Sequence, residues 1–147
     1  GNAANGETYA AYKLFDVTTS GSGEDMNYSY SLSQSETGLK ALLEDAGLTF
    51  TAAADGSRYY VASGLANDTD AANLAKYLND HVSSLGDADK TVVASNGTAV
   101  LTGLDAGYYF VTTSMGSLRI SWKKMRNLPL RKKQMEKQTV QRVLVIL

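Results

Sequence analysis

Residues 8–18 read TYAAYKLFDVT, and the fold turns on what this stretch is. It joins aromatic and β-branched side chains, holds neither Gly nor Pro, and runs into TSGSGED at 19–25, a loop by composition. We read a strand, the first of the chain. Downstream, YSYSL at 28–32 alternates strictly and places Tyr28, Tyr30 and Leu32 on one face at the two-residue period of a second strand. The period then changes. After Ser35-Glu36-Thr37, the run GLKALLEDAG gathers Leu39, Leu42 and Leu43 on one helical face with Gly47 as its stop, predicting a helix over about 36–46.

LTFTA and SRYYVAS, separated by Ala53-Ala54-Asp55-Gly56, predict a hairpin turning at Asp55-Gly56. A second helix is expected at about 68–84. Asn67 or Asp68 can accept from its free N–H groups, acids sit near its positive end, and Ala71, Leu74, Ala75, Leu78 and Val82 line one face up to Gly86. TVVAS and TAVLTGL flank Asn96-Gly97, a further hairpin signal, and AGYYFVTTS at 106–114 reads as the last strand of this part. Six or seven strands, with two helices not interleaved as strand–helix–strand units, predict a mainly β protein: an Ig-like antiparallel β-sandwich with two inserted helices. A mixed α+β sheet is the alternative.

Charge divides the chain at Leu118. Residues 1–118 hold five basic side chains against fourteen acidic ones, a formal net of −9; residues 119–147 hold nine against one, a net of +8. All thirteen Gly and all nine Tyr lie before residue 117, whereas the single Trp122 and Pro129 lie after it. The whole-chain net of −1 averages two opposite regions and says nothing about partners. Two regions follow: a domain over 1–118 and a basic tail over 119–147. The absence of Cys removes disulfides, thiolate metal sites and a Cys nucleophile. No run of about eighteen apolar residues and no signal-peptide pattern occurs, so the chain is expected to be soluble and already processed. The acidic first part does not suit nucleic acid.

Two stretches in this order, TYAAYKLFDVT and LTGLDAGYYFVTT, with two helices and an Ala/Asp/Asn-rich middle between them, resemble the N-terminal domain of Gram-positive, sortase-assembled pilus shaft subunits, whose Ig-like domains are related to collagen-adhesin B domains. The resemblance covers roughly residues 7–118. It implies a structural, non-enzymatic subunit on the cell surface or cell wall, extracellular, whose partners are other pilus subunits, sortase and a host ligand. In that family sortase joins a Lys of one subunit to a sorting-signal Thr of the next. Here Leu128-Pro129-Leu130-Arg131-Lys132 lacks the Thr and Gly of a Leu-Pro-x-Thr-Gly signal, and no Tyr-Pro-Lys occurs. Many such domains also carry an internal Lys–Asn isopeptide bond, in which a buried protonated acid polarises the Asn amide while a neutral Lys attacks. Lys13 is the candidate nucleophile the resemblance points to. The acid follows the Gly-x-Tyr strand in that family, and here Thr stands in its place in Tyr109-Phe110-Val111-Thr112-Thr113. Lys13 exposed on an edge strand is the competing reading.

No cofactor, metal or catalytic constellation emerges. His81, late on the second helix beside Asp80, suits a helix C-terminus better than a dyad, because adjacent helical residues do not face each other. Asn67-Asp68-Thr69-Asp70 lacks a calcium-loop frame and reads as N-capping; Gly21-Ser22-Gly23 reads as a flexible loop. Asn27, Asn67 and Asn96 open glycosylation sequons that a chain this rich in Asn, Ser and Thr produces by chance. The tyrosines on strands suit packing, yet the doublets Tyr59-Tyr60 and Tyr108-Tyr109 must send one ring to each face. Their outward rings are the candidate subunit contacts. The alternative functions are a surface adhesin or carbohydrate-binding sandwich, and binding of the basic tail to anionic membrane or nucleic acid. The abrupt loss of Gly, Ala, Tyr and Asp after Leu118 leads us to expect a changed coding frame there, leaving a non-native ending.

Overall fold

The computed structural model describes residues 6–25, 27–95 and 103–113, together with the backbone of 116–117 and 143–145. Among the described residues the chain is mainly β, an antiparallel sheet with two α-helices. Its strands are β1 (Thr8–Ser20), β2 (Asn27–Ser33), β3 (Thr49–Ala52), β4 (Arg58–Ser63), β5 (Lys90–Val93), β6 (Gly107–Thr113), β7 (Gly116–Ser117) and β8 (Val143–Val145). The helices are α1 (Thr37–Asp45) and α2 (Asp68–Asp80). The sheet runs β3-β4-β2-β1-β6-β7, with β5 on β1 and β8 on β6. Every pairing is antiparallel except that of β6 with β8.

The first strand organises the whole. One edge of β1 pairs with β6 from Tyr9 to Asp16; the other is shared, with β5 along Thr8–Ala11 and β2 along Asp16–Ser20. Between these two partners the register of β1 against β6 slips at Lys13/Phe15. A bulge there lets Leu14 and Phe15, neighbours in sequence, both enter the main core instead of alternating across the sheet.

That core joins Leu14, Phe15, Leu32, Tyr108 and Phe110 of the sheet to Leu43 of α1 and Leu74, Ala75 and Leu78 of α2. Phe15 anchors its aromatic part, with ring centroids 5.6 Å from Tyr108, 6.2 Å from Tyr30 and 6.3 Å from Phe50. The alternate residues of the β1–β6 ladder form a second cluster, Tyr9, Ala11, Tyr109 and Val111 with Ala94 and Leu104. The central ladder is therefore buried on both faces.

Both helices form as their punctuation predicts. Asn67 caps α2, its side chain accepting from the Asp70 N–H at 2.9 Å, and His81 closes it. The chain then makes a 3-10 turn over Val82–Leu85, so the predicted extension to 84 tightens rather than continuing as α-helix. After α1, Gly47 adopts a φ of +107°, the left-handed stop that a residue without Cβ takes readily. The hairpin of β3 and β4 turns at Asp55-Gly56, where the Asp55 carboxylate accepts from the Ser57 N–H at 3.0 Å. The Asn96-Gly97 hairpin lies outside the described residues.

Candidate functional site

Lys13 lies on the face of β1 opposite the main core, across the ladder from Tyr109. Alternation along β2 and β4 places Ser31 and Arg58 on the same side, while Leu32 and Tyr59 turn to the helices. The result is a polar cluster drawn from distant parts of the chain. Lys13 Nζ sits 2.6 Å from Asp16 Oδ1, and the other Asp16 oxygen accepts from the Arg58 guanidinium. Arg58 Nε donates to the hydroxyl of buried Ser31 at 2.8 Å. The Lys13 backbone N–H donates to Asp89 Oδ2 at 2.6 Å, tying the loop before β5 to the bulge.

Beneath this cluster the strands approach closely at Gly107. A Cβ there would lie 2.9 Å from both Lys13 Cε and the Phe15 carbonyl oxygen, and 3.1 Å from Tyr109 Cε2. Glycine lets the aliphatic stem of Lys13 lie across β6. Tyr109 donates its hydroxyl to the Asp105 carbonyl at 2.9 Å.

The electrostatics favour a charged cluster. Burial pushes the Asp16 carboxyl up, but the hydrogen bonds from Lys13 and Arg58, with their positive charges, outweigh it and hold Asp16 below the usual carboxylate range. Tyr109 moves the other way: burial, followed by the nearby negative charges of Asp89, Asp105 and Asp16, pushes its phenol up to about 12. Isopeptide formation needs a neutral amine beside a protonated acid and an amide. The carboxyl beside Lys13 is instead held ionised. Thr112 and Thr113, where the resemblance places the acid, lie opposite Ala10 and Tyr9, three and four ladder positions from Tyr109. At about 3.3 Å per residue that is roughly 10–13 Å along the strand. The structure thus joins Lys13 to Asp16 and Asp89, and among the described residues it brings no Asn to its amine.

The tyrosine doublets split across the sheet as strand geometry demands, but with different outcomes. Tyr60 is 36% exposed on the Lys13 side, whereas Tyr59 packs on the helix side with Lys40 Nζ 4.8 Å above its ring. Tyr108 and Tyr109 are 1% and 2% exposed. Their rings pack one into each of the two core clusters, so in this structure neither presents the outward ring expected of a subunit contact. His81 stacks on Tyr77 with centroids 4.0 Å apart and engages the Tyr77 carbonyl through Nδ1, a helix-end arrangement.

Asp16, Ser31, Arg58 and Asp89 were not singled out by sequence. The one available signal is that Arg58 is the only Arg in the first 118 residues. Among the described residues no group of three or more His, Asp or Glu could hold a metal ion, and no helix is long and apolar enough to cross a membrane. Comparisons with protein-family models, with curated proteins and with solved structures find no match to this chain.

Proposed function

We propose that residues 7–118 form an Ig-like, sandwich-related domain of a structural subunit in a surface pilus of a Gram-positive bacterium, without catalytic activity. The observation that carries this reading is the β1–β6 ladder. The two stretches that resemble pilus shaft subunits are about a hundred residues apart in sequence, yet they pair with each other from Tyr9 to Asp16. The sharing of one β1 edge between β5 and β2, with a bulge between them, supports the sandwich, because strands that pass from one sheet to another do so at bulges or bends. Such a domain transmits load through backbone ladders rather than through a site. The polar cluster around Lys13 fits this role, since it ties β1, β2, β4 and the segment before β5 together by charge.

Sortase and neighbouring subunits are the proposed partners, and the change of coding frame after Leu118 accounts for the missing Leu-Pro-x-Thr-Gly and Tyr-Pro-Lys. The test is made on the source cells. Antibody to residues 7–118 should label surface fibres and detect a ladder of polymers that survives boiling in detergent and disappears when the sortase gene is deleted. A single band in the soluble fraction with no surface label would refute the reading. Translating the other frames after codon 118 should reveal a Gly/Asp/Thr-rich continuation ending in a sorting signal.

A further inference from the structure

Asp55-Gly56 is the chain's one Asp-Gly pair, and it sits at the exposed tip of the β3–β4 hairpin. Gly56 takes a φ of +71°, and the space where a Cβ would stand is open. An Asp followed by Gly at such a tip is prone to rearrange. The Gly nitrogen attacks the side-chain carboxyl carbon, an N–C bond forms, and the carboxyl hydroxyl leaves as water with the amide proton. Water then opens the resulting succinimide ring at either carbonyl. It gives back aspartate or leaves isoaspartate, whose backbone runs one methylene longer. Two things must happen first: the carboxyl must take up a proton, so that water can leave, and the nitrogen must be released from its hydrogen-bond partner.

The native turn opposes both. The Gly56 N–H donates to the Ala53 carbonyl at 2.9 Å. Asp55 Oδ1 accepts from the Ser57 hydroxyl at 2.6 Å and from the Ser57 N–H at 3.0 Å, and these bonds hold the carboxyl below its usual range. Ser57 is itself fixed, since its carbonyl accepts from the Gln34 N–H at 3.0 Å. We propose that Asp55-Gly56 is a latent site of isoaspartate formation, and that Ser57 guards it by binding the Asp55 carboxylate in the native hairpin. Rearrangement would not stay local. The added methylene falls inside the loop closed by the Ala53 N–H on the Arg58 carbonyl at 2.8 Å, and the Arg58 guanidinium is what grips Asp16 and Ser31. Ageing of the turn therefore loosens the polar cluster around Lys13.

The full-length chain is incubated at neutral pH and physiological temperature, and isoaspartate at residue 55 is followed by peptide mapping. Isoaspartyl peptides elute apart from their parents and resist cleavage at Asp. Mapping also separates this site from the Asn5-Gly6 and Asn96-Gly97 pairs, which form isoaspartate of their own. In the folded chain Ser57→Ala should accumulate isoaspartate at 55 several-fold faster than the parent, and Ser57→Thr, which keeps the hydroxyl, should match the parent. In urea, where the hairpin is gone, all three should age at one faster rate. Asn67→Ala weakens the fold at the α2 cap and leaves the hairpin intact, so it should age at 55 like the parent. A folded parent that ages at 55 as fast as the unfolded chain, or a Ser57→Ala chain that ages with the parent, would overturn the proposal. So would Ser57→Ala outpacing Ser57→Thr in urea as well, or an equal rise in Asn67→Ala.

Discussion

Replacing Gly107 by Ala adds one methyl group, and the structure says where it would go. The new Cβ would lie 2.9 Å from the Phe15 carbonyl oxygen, 2.9 Å from Lys13 Cε and 3.1 Å from Tyr109 Cε2. Lys13 Cε is the flexible end of a side chain and can swing aside; the cost is its ion pair with Asp16, which at 27% and 45% side-chain exposure is worth at most about 1 kcal/mol. The Phe15 carbonyl belongs to the backbone just past the bulge, and Tyr109 is packed, so neither can retreat without shifting the ladder. Overpacking of this kind destabilises by about 1–3 kcal/mol, against which the stiffer unfolded chain returns about 0.4–1 kcal/mol. The expected net is a loss of about 1–2 kcal/mol, or roughly 4–10 °C in Tm for a domain near a hundred residues. Gly38→Ala is the matched control. It lies in α1 with nothing within 4 Å of its added Cβ, and should stabilise by up to about 1 kcal/mol. Urea and thermal melts of both variants followed by circular dichroism make the comparison. If Gly107→Ala melts with or above the parent while Gly38→Ala behaves as expected, the close approach of Lys13 and Phe15 over β6 is wrong.

Other perturbations test the cap and the charges. Asn67→Ala removes the acceptor for the Asp70 N–H and should lower stability by about 1 kcal/mol in urea titrations, with Asn67→Ser largely restoring it. Asp16 is held below its ordinary range, so its contribution is present above the unfolded value of about 3.9 and fades as pH falls through the lower native one. Asp16→Asn should flatten the acid limb of stability below about pH 4 and, because the pair is half exposed, cost no more than about 1 kcal/mol at neutral pH. Tyr109 works in the opposite sense: with its phenol raised to about 12, stability is full below the unfolded value of about 10 and falls between the two. Ultraviolet phenol titration should show a late class of tyrosines, from which Tyr109→Phe removes one member ionising near 12.

Much of the local structure was legible because its causes are local. Leu39, Leu42 and Leu43, the Asn67 cap and the Asp55-Gly56 turn carry their signals within a few residues, and α1, α2 and the β3–β4 hairpin follow them. What stayed hidden depends on pairings across the chain. The bulge at Lys13/Phe15 arises only from how β1 meets β6, and no periodicity within TYAAYKLFDVT announces it. Strand alternation said correctly that Tyr108 and Tyr109 face opposite ways, but a period of two cannot tell whether a face is covered. The association of Lys13 with Asp16 and Arg58 was likewise invisible, since Arg58 reaches Asp16 only through the β1–β2 and β2–β4 registers.

The position of β1 also sets a timetable for biosynthesis. Its Tyr9 waits for Thr113, 104 residues later, and its Ala10 for Thr91 and Thr112. While the ribosome is still making the middle of the protein, β2, β4 and the helices can assemble on the distal half of β1, but the half carrying Tyr9 and Ala11 has no ladder to join. Long-range pairing of this kind folds slowly and leaves a bare strand exposed in the meantime. A pause in translation before residue 90, ahead of both β5 and β6, would therefore hold the nascent chain in its most adhesive form, and a holdase that binds extended apolar segments would be most needed over residues 8–15.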